Sequence, residues 1–253
     1  MPEKKNITES KDSAINEKKF NKKHIFAIIC TLVAVLFVSL FTPLYSISKI
    51  MVEGNSAIAS DVLIRASGIE YGDSFFEVSI RESTEKLSKV AYVDTVKVKR
   101  VFPDKIKIVV KESSESVYLS FAGNYIGIDY RGKILDVKQQ MADVQKPVVY
   151  GVNIHNFTIG SFADIEYEDK KHLLFELISA IDEENLGDSI YNIDITDIEN
   201  IFLVLRNNIT VKYGDYNSIR YKTAYLKTVL PEIVEETGGV LDISDTEKVK
   251  YTN

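Results

Sequence analysis

The sequence predicts an α+β protein: a single transmembrane helix, then a β-α-α-β-β domain, then a second mixed β-sheet domain with flanking helices. Three observations lead to this prediction. A long apolar run follows a lysine-rich leader. Short strand patterns and two helix patterns with start and stop signals then fill residues 46–113. Alternating strand patterns and two amphipathic helix patterns fill residues 114–244.

The apolar run at 25–45 contains no charged residue. At about 1.5 Å per residue it extends about 30 Å, which matches the hydrocarbon core of a bilayer. A buried helix would show an apolar stripe, and a signal peptide would have a shorter apolar stretch followed by a small-residue cleavage site. We therefore predict a transmembrane helix at 25–45 and a disordered cytoplasmic leader at 1–24.

Lysines predict the orientation of this helix. Lys18, Lys19, Lys22 and Lys23 precede the run, and few basic residues follow it. The positive-inside rule places the N-terminus in the cytoplasm and residues 46–253 outside the cell membrane. The leader has seven lysines and four acidic residues, so the net charge of −6 leaves −9 on the rest. That balance predicts repulsion from anionic headgroups and phosphate-rich polymers.

The first outer domain begins with the strand pattern "ISKIMVEGN". A helix should follow from Ser60, as N-cap, to Gly68, and a second helix should start at Ser79, which has capping-box spacing to Glu82. The stretch "KVKRVFPDKIKIVVKE" predicts a hairpin that turns at Pro103-Asp104. Its alternation predicts inward positions for the apolar residues of both strands and outward positions for the lysines. The inward positions are Val96, Val98, Phe102, Ile106, Ile108 and Val110.

These motifs carry a resemblance to a known family. Residues 46–113 resemble a POTRA domain of the kind found in the FtsQ/DivIB family of bacterial division proteins. The matching pieces are V-x-G-N at Val52–Asn55, "YVDTVKVKRVFP" at Tyr92–Pro103 and "IKIVVKE" at Ile106–Glu112. One departure is Glu115, which stands where the family often has proline.

The second outer domain, 114–244, should contain a hairpin around Asp129–Gly132 and an amphipathic helix in "EDKKHLLFELISAIDEE". Three strands should follow, with a turn at Asn207-Asn208. The last helix should begin near Ser218 and end at Pro231, with Tyr221 and Tyr225 among the residues that face the sheet. A final strand at 240–244 and a flexible tail at 245–253 complete the predicted organisation.

Composition and motifs point away from catalysis. The single Cys30 excludes an intramolecular disulfide and a cysteine-based zinc site, and the three histidines lie far apart. Asp194, Asp197 and Glu199 lack the spacing of a calcium loop. We therefore predict a protein that is not an enzyme and has no catalytic residue, metal, cofactor or small-molecule substrate. The negative net charge also predicts no nucleic-acid partner.

The resemblance implies a function. It implies a non-catalytic bitopic protein of the divisome that binds FtsL-like and DivIC/FtsB-like bitopic division proteins at the septum and supports septal peptidoglycan synthesis. The alternative is a POTRA-bearing export or envelope-assembly factor outside division. A third class, a membrane-anchored wall hydrolase, lacks a visible catalytic constellation.

The resemblance also implies a partner site on the strand after the last helix. The matching residues are Val240, Leu241, Asp242, Ile243 and Ser244, predicted to form the final edge strand, with Tyr221, Lys222 and Tyr225 nearby. An edge strand offers unpaired backbone groups to which a partner strand can add. Alternation predicts that Leu241 and Ile243 pack against the last helix, while Val240, Asp242 and Ser244 face the partner. Two alternatives are a strand that only completes the sheet and docking on the POTRA face.

Overall fold

The computed structural model of the protein describes residues 22–40, 45–155, 157–233, 236–245 and 248–252. The helices are α1 Lys22–Leu40, α2 Ser60–Ser67, α3 Ile80–Ser88, α4 Glu168–Glu183 and α5 Ile219–Val229. The strands of the first sheet are β1 Lys49–Glu53, β2 Val93–Val101 and β3 Lys105–Glu112. The strands of the second sheet are β4 Val117–Phe121, β5 Asn124–Ile128, β6 Ile134–Lys138, β7 Val148–Tyr150, β8 Ile190–Asp194, β9 Ile201–Leu205, β10 Thr210–Gly214, β11 Val240–Asp242 and β12 Lys250–Thr252.

The N-terminal helix α1 begins within the predicted leader and covers most of the apolar run. Among the described residues, no helix combines the length and the apolar character needed to cross a membrane. Residues 1–21 and 41–44 lie outside the described residues. The leader and the transmembrane helix therefore stay predictions.

The first domain has the predicted β-α-α-β-β order, with strands arranged β1-β3-β2. β1 runs parallel to β3, and β2 runs antiparallel to it with Val98 opposite Ile108. Both residues are buried in the core of this domain, together with Leu63 of α2 and Leu87 of α3. The predicted register of the hairpin is thus confirmed, because a one-residue slip would turn both side chains to solvent.

Two details of the first domain differ from the prediction. Ser60 is the first residue of α2 and makes no capping bond there, whereas Ser79 does cap α3 by accepting the Glu82 N–H at 3.3 Å. Phe102 was predicted to share the buried face of Val98, but its side chain is 70% exposed. The reason is that β2 ends at Val101, so the strand alternation no longer applies to the turn that carries Phe102.

The second domain is a nine-stranded mixed sheet in the order β12-β11-β10-β9-β8-β7-β4-β5-β6. The hairpin β5–β6 and the three strands β8, β9 and β10 lie where the sequence predicts them. The predicted apolar stripe of α4 is buried in the core of this domain, and Leu226 of α5 lies in the same core. The α+β class with two sheets is therefore confirmed.

The C-terminal part corrects the prediction at three points. β11 covers only Val240–Asp242, and β12 pairs antiparallel with it, so residues 240–244 are not the edge strand. The predicted flexible tail thus contains a strand. On α5, Tyr221, which was predicted to face the sheet, is 59% exposed, whereas Lys222, which was predicted to lie near the partner site, is only 5% exposed. The reason is that Lys222 reaches inward to the half-buried Asp215 just after β10.

The two domains meet over a polar junction. The Arg131 side chain donates a hydrogen bond to the Asp94 carbonyl oxygen at 2.7 Å, and the Tyr92 hydroxyl donates to the Glu115 carboxylate at 2.6 Å. Gly160 has a φ of +87°, and a Cβ at this position would lie 2.0 Å from the Lys89 carbonyl oxygen. Backbones of the two domains therefore approach closely, which only glycine permits at this point.

Candidate functional site

The outer strand β12 is the main candidate for a protein-binding site. It lies at one end of the nine-stranded sheet, and in the described part of the chain it pairs only with β11. Thr252 lies opposite Val240, and Lys250 lies opposite Asp242. The free side of such a strand presents backbone N–H and C=O groups that a strand from another protein can pair with.

A row of charged side chains crosses the sheet and ends at this edge. The pairing places Asp194 beside Phe202, Phe202 beside Lys212, Lys212 beside Asp242, and Asp242 beside Lys250. Residues in such a row point to the same face of the sheet. Since Leu241, the neighbour of Asp242 on β11, is buried in the core that also contains Leu226 of α5, the row lies on the opposite face of the sheet. Lys250 is therefore the charged residue that an added strand would meet first.

The neighbouring row on the same face is apolar or β-branched. It consists of Val204, Thr210, Val240 and Thr252, each opposite the next across β9, β10, β11 and β12. Val240 is an exposed large hydrophobic residue. The edge therefore combines one apolar row with one charged row, so that both register and side-chain chemistry of an added strand would be selected.

Asp242 is held in one orientation by its neighbours. Its carboxylate accepts hydrogen bonds from the Ser244 N–H at 3.0 Å and the Ser244 hydroxyl at 2.6 Å, and Lys212 Nζ lies 3.2 Å away. The Ser244 hydroxyl contributes most to a lowered pKa of Asp242, with further contributions from the Ser244 N–H and Lys212. Asp242 is therefore ionised at neutral pH and fixes the turn after β11.

A buried polar cluster supports the sheet from the helix side. Lys222 Nζ donates to the Asp215 carboxylate at 2.7 Å and to the Asp215 carbonyl oxygen at 3.0 Å. The same ammonium group lies 5.5 Å from the centre of the Tyr213 ring. The Tyr213 hydroxyl in turn donates to the Ile219 carbonyl oxygen at 2.7 Å. These contacts fix the start of α5 to the end of β10, and β10 is the strand that pairs with β11.

The structure does not bring the predicted site residues together on one surface. Val240 and Asp242 face outward from the sheet, and Ser244 is bound to Asp242. Leu241 and Ile243 are buried in the core that also contains Leu226 of α5, which agrees with the predicted alternation. Tyr225 packs partly buried against the same core, and Lys222 is buried. Tyr221 is exposed on α5, so the sheet separates it from Val240 and Asp242.

Sequence reasoning missed β12. The stretch "KVKYT" at 248–252 alternates between polar and apolar or aromatic residues, which is the pattern of a half-buried strand. Tyr251 occupies the inward position, and its hydroxyl donates to the Gly238 carbonyl oxygen at 3.0 Å. The alternation was the available signal, but a short polar chain end resembles a frayed terminus in composition.

One family model and several known proteins resemble this chain. Residues 45–113 match the family model of the FtsQ-type POTRA domain. The cell division protein DivIB of Clostridium acetobutylicum is 27% identical over 221 residues, which cover 85% of each chain. DivIB of Clostridium botulinum strain Hall is 25% identical over 241 residues, or 93% of each chain. The cell division protein FtsQ of Syntrophotalea carbinolica is 24% identical over 227 residues, covering 88% of this chain and 77% of the relative.

The chain thus combines an FtsQ-type POTRA domain with a mixed-sheet domain and resembles these relatives along most of its length. These matches support the FtsQ/DivIB family for this chain, and the names of the relatives support a role in bacterial cell division.

Proposed function

We propose that this protein is a non-catalytic, bitopic assembly protein of the divisome. It binds FtsL-like and DivIC/FtsB-like division proteins at the septum and thereby supports septal peptidoglycan synthesis. The observation that carries the proposal is the position of β12 at the edge of the described sheet, where an ordered row of charges ends. The resemblance to this family supports the choice of partners.

In this proposal a partner segment adds to β12 as a further strand. Backbone pairing along Lys250–Thr252 supplies the attraction, and the two rows of the outward face select the sequence. An acidic partner residue would lie beside Lys250, and an apolar or β-branched residue would lie beside Thr252. β12 is short and carries a lysine, two features that discourage pairing with unrelated strands.

Membrane attachment forms part of the proposal. The uncharged run at 25–45 supplies a single-pass anchor, with the N-terminus in the cytoplasm and both folded domains outside. The relatives named above are cell-division proteins, which weighs against an export or envelope-assembly factor outside division.

Proline substitution tests strand addition. Successive residues of an edge strand alternate in whether their N–H points to the sheet or to the free side. Proline removes one backbone N–H, so one of the variants Lys250→Pro and Tyr251→Pro removes an N–H that pairs with β11, and the other removes an N–H on the free side. The second of these keeps the pairing with β11 and prevents hydrogen bonding to an added strand. We expect this variant of the full-length protein to fold and to lose co-purification with the co-expressed partners.

The matched control is Lys138→Pro at the end of β6, the outer strand at the opposite end of the sheet. It should retain partner capture if it folds. Partner capture at the wild-type level by both folded β12 variants would contradict strand addition at this edge. A fluorescent fusion of the full chain should gather at midcell, and an even distribution around the envelope would contradict the septal role.

A further inference from the structure

Aromatic rings, two of them exposed and one partly buried, cluster at one end of the POTRA domain. Tyr45, Phe76 and Phe102 form this aromatic tip, with ring centroids 5.3 Å apart for Tyr45 and Phe76 and 6.3 Å apart for Tyr45 and Phe102. Phe76 is 43% exposed and Phe102 is 70% exposed. Phe75 lies buried beneath them, 5.2 Å from Phe76 and 6.3 Å from Phe102. Grouped exposed aromatic rings indicate a contact surface rather than a core.

The aromatic tip is displayed on a fixed frame. The Arg100 guanidinium donates to the carbonyl oxygens of Phe75 at 2.8 Å, Phe76 at 3.3 Å and Val78 at 2.6 Å. The Phe75 N–H donates to the Tyr45 carbonyl oxygen at 2.9 Å. Phe76 is therefore held outward by its own backbone and by Arg100, although burial of the ring would be favourable.

The position of the tip along the chain points to the membrane. Tyr45 is the last residue of the apolar run, five residues beyond the end of α1 at Leu40. Five residues reach at most about 18 Å even when fully extended. The aromatic tip therefore lies close to the point where the proposed anchor leaves the bilayer, the depth at which aromatic side chains are enriched in membrane proteins.

Basic residues flank the tip. The outward face of the first sheet, opposite α2 and α3, carries Lys49, Lys97, Lys99, Lys105, Lys107 and Lys111. Glu53 neutralises Lys107 at 2.7 Å, and Asp94 neutralises Lys111 at 3.0 Å. In the described part of the chain, the other four lysines have no carboxylate within 4.0 Å. Lys49 and Lys105 lie opposite each other at the strand ends next to the Phe102 turn.

Carboxylates also lie at this end. Asp104 accepts a hydrogen bond from the Ser48 hydroxyl, Asp73 accepts the Glu70 N–H at 2.8 Å, and Glu77 follows Phe76 in the chain and is exposed. The basic surface is therefore the outward face of the sheet, where lysines outnumber the carboxylates of Glu53 and Asp94. Although the chain outside the leader has a net charge of −9, this one face is locally basic. Net charge alone therefore does not describe the local charge of this face.

We propose that the aromatic tip, together with Lys49, Lys99 and Lys105, binds the surface of an anionic lipid bilayer. The rings enter the headgroup region, and the ammonium groups meet lipid phosphates, an attraction that decays within a Debye length. This contact would fix the tilt of the POTRA domain and hence the direction in which β12 is presented. The proposal rests on the membrane anchor of the proposed function, since the anchor brings the tip to the bilayer.

The chain contains no tryptophan, so one substitution creates a unique fluorescent reporter. The full-length Phe102→Trp protein is reconstituted into vesicles of equal parts phosphatidylglycerol and phosphatidylcholine, with and without brominated acyl chains. Phe202→Trp is the matched control, because Phe202 is also an exposed phenylalanine but lies on the second domain. We expect a blue shift and quenching by brominated lipid at position 102 and neither effect at position 202.

Each outcome decides the proposal. Quenching at 102 that weakens in pure phosphatidylcholine, in high salt and in the Lys49→Gln/Lys105→Gln background supports it. Vesicle flotation of the protein without quenching at 102 overturns the tip contact and leaves the anchor intact. Failure to float with vesicles overturns both. Protection of position 102 from iodide without quenching by lipid would instead show that a second copy or a protein partner covers the tip, and would also overturn the proposal.

Discussion

The ammonium group of Lys133 in the second domain lies 2.7 Å from the Val93 carbonyl oxygen of the POTRA domain. The same group donates to the carbonyl oxygens of Ser88 at 2.8 Å and Val90 at 2.7 Å, just after α3. Lys133 is only 2% exposed, and burial lowers the pKa of this lysine. One side chain thus satisfies three carbonyl groups, two of them at the C-terminal end of α3, where a cation is favoured, and one at the start of β2. This contact joins the two domains.

Replacing Lys133 should therefore loosen the junction. Lys133→Met keeps most of the side-chain volume but leaves three carbonyl oxygens without their donor, at a cost of roughly 2–4 kcal/mol. We expect a lower urea midpoint of unfolding and faster proteolysis between residues 89 and 116. Lys171→Met, at an exposed ion pair on α4 of the second domain, should change the midpoint little. Equal losses in the two variants would refute a special role for Lys133.

Glu112 predicts an acid-sensitive loop in the POTRA domain. Its carboxylate accepts the backbone N–H groups of Ala57 at 2.9 Å, Ile58 at 2.8 Å and Ser56 at 3.0 Å. These bonds, led by the one from Ala57, lower the pKa of Glu112 from 4.5 to about 2. A lowered folded-state pKa stabilises the fold above the ordinary value, and this stability is lost as the pH falls from 4.5 toward about 2.

The matched test of this prediction is Glu112→Gln. The amide cannot accept the same bonds as a charged group, so its thermal midpoint at neutral pH should fall. Its stability should also decline less steeply than that of the wild type below pH 4.5, the ordinary value for this carboxyl. Parallel pH curves for the two proteins would contradict the assignment to Glu112.

Replacement of Lys222, the buried lysine of α5, should strongly destabilise the second domain. Lys222→Met would remove the cation that pairs with Asp215 and lies over the Tyr213 ring, leaving a half-buried carboxylate with only the neutral hydrogen bonds from Asn217. We expect a loss of roughly 2–4 kcal/mol in the unfolding free energy of the second domain. The adjacent Tyr221→Ala should be nearly neutral, because that side chain is mostly exposed. The reverse order of the two effects would refute this account.

Strand alternation and helix periodicity predicted which face of each strand and helix is buried. The alternation around Val98 and Ile108 and the stripe of α4 reflect which face of an element is buried, and the sequence periodicity contains that information. Lys133 directly follows the hairpin turn at Asp129–Gly132, and nothing in the local sequence indicates that it is buried. Only the approach of the α3 end, far away in the chain, gives this lysine its three acceptors.

The same distinction applies to the candidate site. The inward positions of Leu241 and Ile243 followed from alternation, but whether their strand lay at the edge depended on a later segment pairing with it. Lys222 could not be recognised as buried because its partner Asp215 and the Tyr213 ring come from the preceding strand and turn. Partner-facing residues thus depend on tertiary pairing more than core residues do.

The charge row at β12 gives a final prediction about partner binding. Lys250 ends the row that passes through Asp242 and Lys212, so Lys250→Glu would place a second acidic residue beside Asp242. The strand would remain, but an acidic partner residue would now be repelled, and capture of FtsL-like and DivIC/FtsB-like proteins should weaken about ten-fold. Lys227→Glu on α5 makes the same charge change on the opposite side of the sheet and should leave capture unchanged. Titration of the full-length variants against the partners in detergent measures both affinities. If an acidic residue of the partner pairs with Lys250, then replacing that partner residue by lysine should restore binding to Lys250→Glu and to no other variant. Equal binding of all variants would show that Lys250 does not lie in the interface.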